Sequence, residues 1–116
     1  MKKYVSGSIA VGQSKTDPIV GNSFSIIGVR TGSSVTASAF YIEASHDGVR
    51  YDALKNDSGS VVTFVTTPLS YNTIVFSNQG ICSAFDFIKI CSGTSASATL
   101  QSGSPLNLVI ALSNLL

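Results

Sequence analysis

The sequence predicts an all-β domain: an antiparallel β-sandwich of jelly-roll type with about eight or nine short strands. Three observations lead there. No window of the chain keeps apolar residues at i, i+3, i+4 and i+7, the spacing of an amphipathic helix. Short runs rich in Val, Ile, Phe, Tyr and Thr alternate instead with clusters of Gly, Ser, Asn and Pro, as strands alternate with turns. The 116 residues show neither an internal repeat nor a linker, so 1–116 reads as one domain.

The expected elements follow in order. Residues 4–11 form a first strand. Residues 15–22 form a loop punctuated by Pro18 and Gly21. Residues 23–30 are a strand with Phe24 and Ile26 on one face, and 31–34 turn the chain. Residues 35–45 are a strand with Phe40, Ile42 and Ala44 on one face and Tyr41 and Glu43 on the other. Asp47-Gly48 is a strong hairpin signal, because Gly accepts positive φ and Asp tolerates it; 49–54 then runs back. After a turn at 56–59, strands are expected at 60–66 and 71–77 around Pro68, with a turn at 78–80. Residues 82–91 read as the longest strand. Residues 95–101 and 106–112 are the last two, joined by Ser102-Gly103-Ser104-Pro105. The final run, LNLVIAL, lacks alternation. It is either a central core strand or a strand whose outer face a neighbouring subunit closes.

Composition excludes several function classes. The formal net charge is +1 and the seven bases are scattered, so neither nucleic acid nor an acidic membrane is an expected partner. Charged residues are only 11% of the chain, against about 25% in ordinary soluble domains. Weak repulsion between copies favours contact with other protein surfaces. The start MKKYVSGSIAVGQSKTD has no continuous apolar core of a signal peptide. The apolar end LNLVIALSNLL is shorter than the ~20 residues a spanning helix needs. Cys82 and Cys91 bracket CSAFDFIKIC; on one extended strand their sulfurs lie roughly 30 Å apart, too far for a disulfide, which leaves free thiols.

Chemistry has few candidates. His46 is the only imidazole and sits beside an expected turn, with no G-x-S-x-G elbow elsewhere. Asp47, Asp52 and Asp57 recur every five residues, but odd steps on strands point to opposite faces, and the intervening residues do not match a calcium loop. No Gly-rich loop opens a helix for phosphate. The sequence therefore assigns no catalytic residue, no cofactor and no metal site. Tyr41, Tyr51 and Tyr71 are the aromatics suited to a sugar-binding face.

The stretch FYIEASHDGVRYDAL, followed later by Phe87-Ile88-Lys89-Ile90, resembles a hairpin of discoidin-like, galactose-binding β-sandwiches and of small tailed-phage virion proteins. The likeness covers about a third of the chain. The lack of Trp, of a signal segment and of a disulfide brings it nearer the phage group. That resemblance implies a non-enzymatic capsid cement (decoration) protein of the virion, assembled in the host cytoplasm. Its expected partners are the major capsid protein and further copies of itself, as a dimer or trimer. Expected contact segments are 2–11, 15–22 and LNLVIALSNLL. The alternative it leaves is a carbohydrate-binding module of a tail fibre or adhesin, with exposed tyrosines and a calcium ion.

Overall fold

A computed structural model of the chain describes residues 2–21, 24–76 and 85–114. Those residues contain nine strands and no helix: β1 Lys2–Ile9, β2 Ile19–Val20, β3 Ser25–Thr31, β4 Ala39–Ser45, β5 Asp52–Ala53, β6 Thr63–Val65, β7 Asn72–Val75, β8 Phe87–Ser92 and β9 Leu106–Ser113. The strands make two antiparallel sheets. The first has the order β1-β9-β3-β7; the second has the order β2-β8-β4-β5, with β6 also on β4.

The pairings are nested. β1 pairs with β9, β2 with β8, β3 with β7, and β4 with β5 and β6. One long antiparallel ribbon, folded across itself, gives this pattern. The pairings β9 with β3 and β8 with β4 then complete the two sheets. This is the jelly-roll order, with β5 and β6 sharing one strand position.

Alternation builds the core. In β9, Leu106, Leu108, Ile110 and Leu112 are buried, while Asn107 and Val109 face out. From the second sheet Phe40, Ile42, Ile88 and Ile90 meet them in one apolar cluster. Phe40 stacks on Phe64 with ring centroids 5.3 Å apart, and Phe64 meets Phe76 edge-on at 5.5 Å.

Five expectations about elements change. Residues 15–22 are not wholly loop: Ile19 is buried and pairs with Ile88, so the segment forms the edge β2. The strand expected from 35 begins at Ala39; before it, the backbone N–H of Leu69 bonds the Val35 carbonyl. Residues 95–101 form no strand. Gly93, at φ 94°, turns the chain, and 93–101 satisfies its backbone through Thr94–Ser97, Ser92–Thr99 and Gln13–Gln101 bonds and one bridge at Ala98. The strand around Cys91 runs Phe87–Ser92, shorter than β1 and β9; Cys82 and the turn expected at 78–80 lie outside the described residues. LNLVIAL does alternate, because Asn107, Val109 and Ala111 occupy the outward positions.

Candidate functional site

The hairpin around the lone histidine is a braced corner. The register Ala44↔Asp52 leaves a connection wider than a two-residue turn, and only Gly48 takes positive φ, at 77°. The Ser45 hydroxyl donates to Asp47 Oδ1 (2.9 Å) and accepts from the backbone N–H of Gly48 (3.0 Å). Asp47 Oδ1 also accepts the N–H groups of Val49 (2.9 Å) and Arg50 (3.2 Å). These donors, Val49 first, hold the Asp47 carboxyl down at about 2, so it is an ionised turn brace rather than a proton donor. Gly48 packs against the Phe87 ring, where a Cβ would lie 3.5 Å away. His46 is exposed. Asp52 pairs with Arg50 at 3.1 Å and both are largely solvated, so this pair adds little stability.

A second cluster lies on the outer side of β4. Glu43, with its side chain 11% exposed, accepts a 2.9 Å charged hydrogen bond from Lys15. Tyr41 and Cys91 face each other in register beside them, and the Lys89 ammonium sits 4.3 Å from the centre of the Tyr51 ring. Lys15 is tied in by the bond from its neighbour's N–H, at Thr16, to the Ile90 carbonyl (3.0 Å). Burial pushes the Cys91 thiol up to about 12, which makes it a packed side chain and not a nucleophile. The Glu43 hydrogen bond raises the Lys15 ammonium above its ordinary 10.5, against a smaller opposing effect of burial. Nothing in this cluster signals itself in the sequence, since Lys15 and Glu43 are 28 positions apart.

That pair yields an expected result. Lys15→Met leaves Glu43 buried without its cation and should cost about 2 kcal/mol, a figure kept low because Lys15 is itself 43% exposed. Because the folded lysine's pKa is raised, its stabilisation is complete below 10.5 and fades as pH climbs through the folded value. Urea melts of both proteins from neutral to alkaline pH check this: the gap between them should narrow at the alkaline end.

The third feature is the outer face of the first sheet. Register places Tyr4, Ala111, Gly28 and Val75 in one row across all four strands. The two middle residues are small and the two flanking ones stand up, with Tyr4 69% and Val75 80% exposed. The result is a shallow concavity of about 650 Å³, with Lys2, Arg30, Thr73 and Val109 also on its walls. Gly28 lies at a bulge in β3, and a Cβ there would come within 2.8 Å of the Ile74 carbonyl oxygen. An isolated Gly inside a strand is the sequence signal for such a bulge, and it was legible in SIIGVRT.

The other candidate residues are dispersed. Tyr41 is buried, Tyr51 is half-buried beneath Lys89, and Tyr71 is 73% exposed ahead of β7, so the three tyrosines build no common platform. Among the described residues, no three His, Cys, Asp or Glu side chains gather as metal ligands. Of the expected contact segments, 2–11 supplies the edge strand β1, 15–22 supplies β2 and Lys15, and LNLVIALSNLL supplies β9, which ends at Ser113, one residue before the last described residue, Asn114.

No family model matches the chain. No curated protein matches it. Among solved structures it is similar to the crystal structure of the SPBc2 prophage-derived protein YomS, with a TM-score of 0.53 and 11% identity over 96% of this chain and 95% of that one. At that identity the likeness is one of fold, and it extends over nearly the whole of both chains.

Proposed function

We propose that this chain is a non-enzymatic structural protein of a tailed-phage particle, a capsid cement protein that bridges major capsid subunits on the head. The observation that carries the reading is the apolar concavity on the outer face of the β1-β9-β3-β7 sheet, where Tyr4, Val75 and Val109 stand exposed. Large apolar side chains grouped on an open face mark a contact surface. The clusters with titratable groups, by contrast, are spent on bracing: Asp47 holds a turn and Glu43 holds Lys15. The fold likeness to a prophage-derived protein supports the same reading.

The physical mechanism is contact area. Four strands at about 4.8 Å spacing and up to eight residues at about 3.4 Å make a face of roughly 500 Å². That is less than the ~800 Å² per partner of a stable standard interface. At about 25 cal/mol per Å² of apolar surface, one such contact is modest once the cost of association is met. Repeated around a symmetric shell, it gains by multivalency. The edge strands β1 and β7 add open backbone groups for a capsid arm to pair with.

Mass spectrometry of purified particles, made with and without this chain, tests the reading. The chain should copurify with the shell in a fixed ratio to the major capsid protein. Particles lacking it should release DNA at a lower temperature. A chain abundant in the lysate and missing from the particles overturns the proposal.

A further inference from the structure

We infer that the outer face of the first sheet binds the acidic side of a second copy of this chain, front to back. The inference rests on the reading of that face as a contact surface and assigns it to a second copy, so that the edges of β1 and β7 are what remains for the capsid.

The first sheet and the rest of the chain differ in the sign of their charge. The four strands of the first sheet carry Lys2, Lys3 and Arg30 and no acid, a charge of +3. The rest of the chain holds four bases and all six acids, a charge of −2, which together restores the +1 of the whole. Among these, Lys15 is already paired with Glu43 and Arg50 with Asp52. Asp17, Asp47, Asp57 and Asp86 are exposed, with no cationic partner among the described residues. One arm, the β4–β5 connection with β5 and the turn after it, carries three acids, Asp47, Asp52 and Asp57, against two bases, Arg50 and Lys55, a charge of −1.

The concavity offered to this arm is mainly apolar, with cations at its border. Tyr4, Val75 and Val109 stand exposed, and Lys2 and Arg30 flank them. Two such faces placed against each other would bring four cations together with no acid on any strand to offset them. A front-to-back contact instead sets Lys2 and Arg30 against Asp57 and against Asp52, which exchanges its solvated pair with Arg50 for the new one. Val49, 84% exposed on the same arm, supplies an apolar side chain for the concavity. Such a contact is heterologous: each copy keeps one free face and one free arm, so association continues past the dimer into a ring or a row.

Sedimentation velocity of the full chain, over a wide concentration range at low and high salt, tests this. Wild-type protein should form species beyond the dimer as concentration rises, and added salt should dissociate them. Arg30→Glu and the double variant Asp52→Lys/Asp57→Lys should each weaken association about tenfold or more. All three substitutions are at exposed positions, and circular dichroism melts establish that the variants fold. An equimolar mixture of the two variants pairs opposite charges at both contacts between them, reversed at one and wild-type at the other, and should restore growth past the dimer. Wild-type protein that stays monomeric overturns the inference, as does assembly that stops at a dimer and tightens in Arg30→Glu, or a mixture no better than its parts. Monomeric protein that is still built into particles sinks this inference alone, whereas absence from particles sinks the functional reading.

Discussion

Gly93→Ala should lower the melting temperature by 10 °C or more, corresponding to a loss of about 3 kcal/mol, the largest effect expected of any single methyl group in this chain. Gly93 has φ 94°, a region that side chains rarely enter. A Cβ there would lie 2.5 Å from both the Ser97 carbonyl oxygen and the Thr99 nitrogen, and both are backbone atoms that cannot swing aside. The strain would spread through its neighbours. Gly93 donates its N–H to the Ala39 carbonyl at 2.8 Å, and the adjacent Ser92 hydroxyl bonds the carbonyls of Ser14 and Thr99. Those bonds join the end of β8 to the start of β4 and to the segment leading into β2. Gly59→Ala is the matched control. Gly59 has φ 84° but no atom within 4 Å of its would-be Cβ, so it bears only the conformational cost, about 1 kcal/mol. Parallel thermal melts separate the two; equal losses would show that the backbone around Gly93 yields freely.

The same position explains where sequence reasoning succeeds and where it stops. Alternation is a local signal, and it identifies β4, whose Phe40, Ile42 and Ala44 lie in the core where a period of two puts them; in β3 the bulge before Gly28 moves the core position from the Ile26 series to Val29, and in β9 apolar Val109 and Ala111 on the outer positions mask the alternation. The brace at Ser45 and Asp47 is local too, confined to residues 45–50, and its residue types declare it. The segment 95–101 carries the small and β-branched residues of a strand, yet Gly93 turns it into a coil of short bonds; that outcome depends on Gln13, 88 positions away. β2 has only two residues and is held by β8, so no window of 15–22 contains its cause. The outer face of the first sheet shows the limit for function. Tyr4, Gly28, Val75 and Ala111 meet only because four distant strands share one register, and the jelly-roll nesting sets that register.

Phe40→Ala should cost about 3–5 kcal/mol, a large share of the 5–15 kcal/mol that a domain of this kind possesses. Phe40 is fully buried and its ring lies nearly parallel to that of Phe64, with an interplanar angle of 6°. Phe64 in turn meets Phe76 at 87°, just after β7 of the first sheet. The three rings therefore link β4 and β6 to the opposite layer, and truncating the first removes contacts on which the second depends. β4 cannot shift to fill the space, because it is hydrogen-bonded to β8 along one edge and to β5 and β6 along the other. Phe40→Leu keeps most of the volume and should cost under about 2 kcal/mol. The Phe64→Ala and Phe40→Ala/Phe64→Ala variants complete a double-mutant cycle. A coupling of about 1 kcal/mol is expected from the stacked pair beyond the area each ring buries. Denaturant unfolding of the four proteins measures it; additive losses would mean that the two rings fill the core independently and that the layers are joined by bulk packing alone.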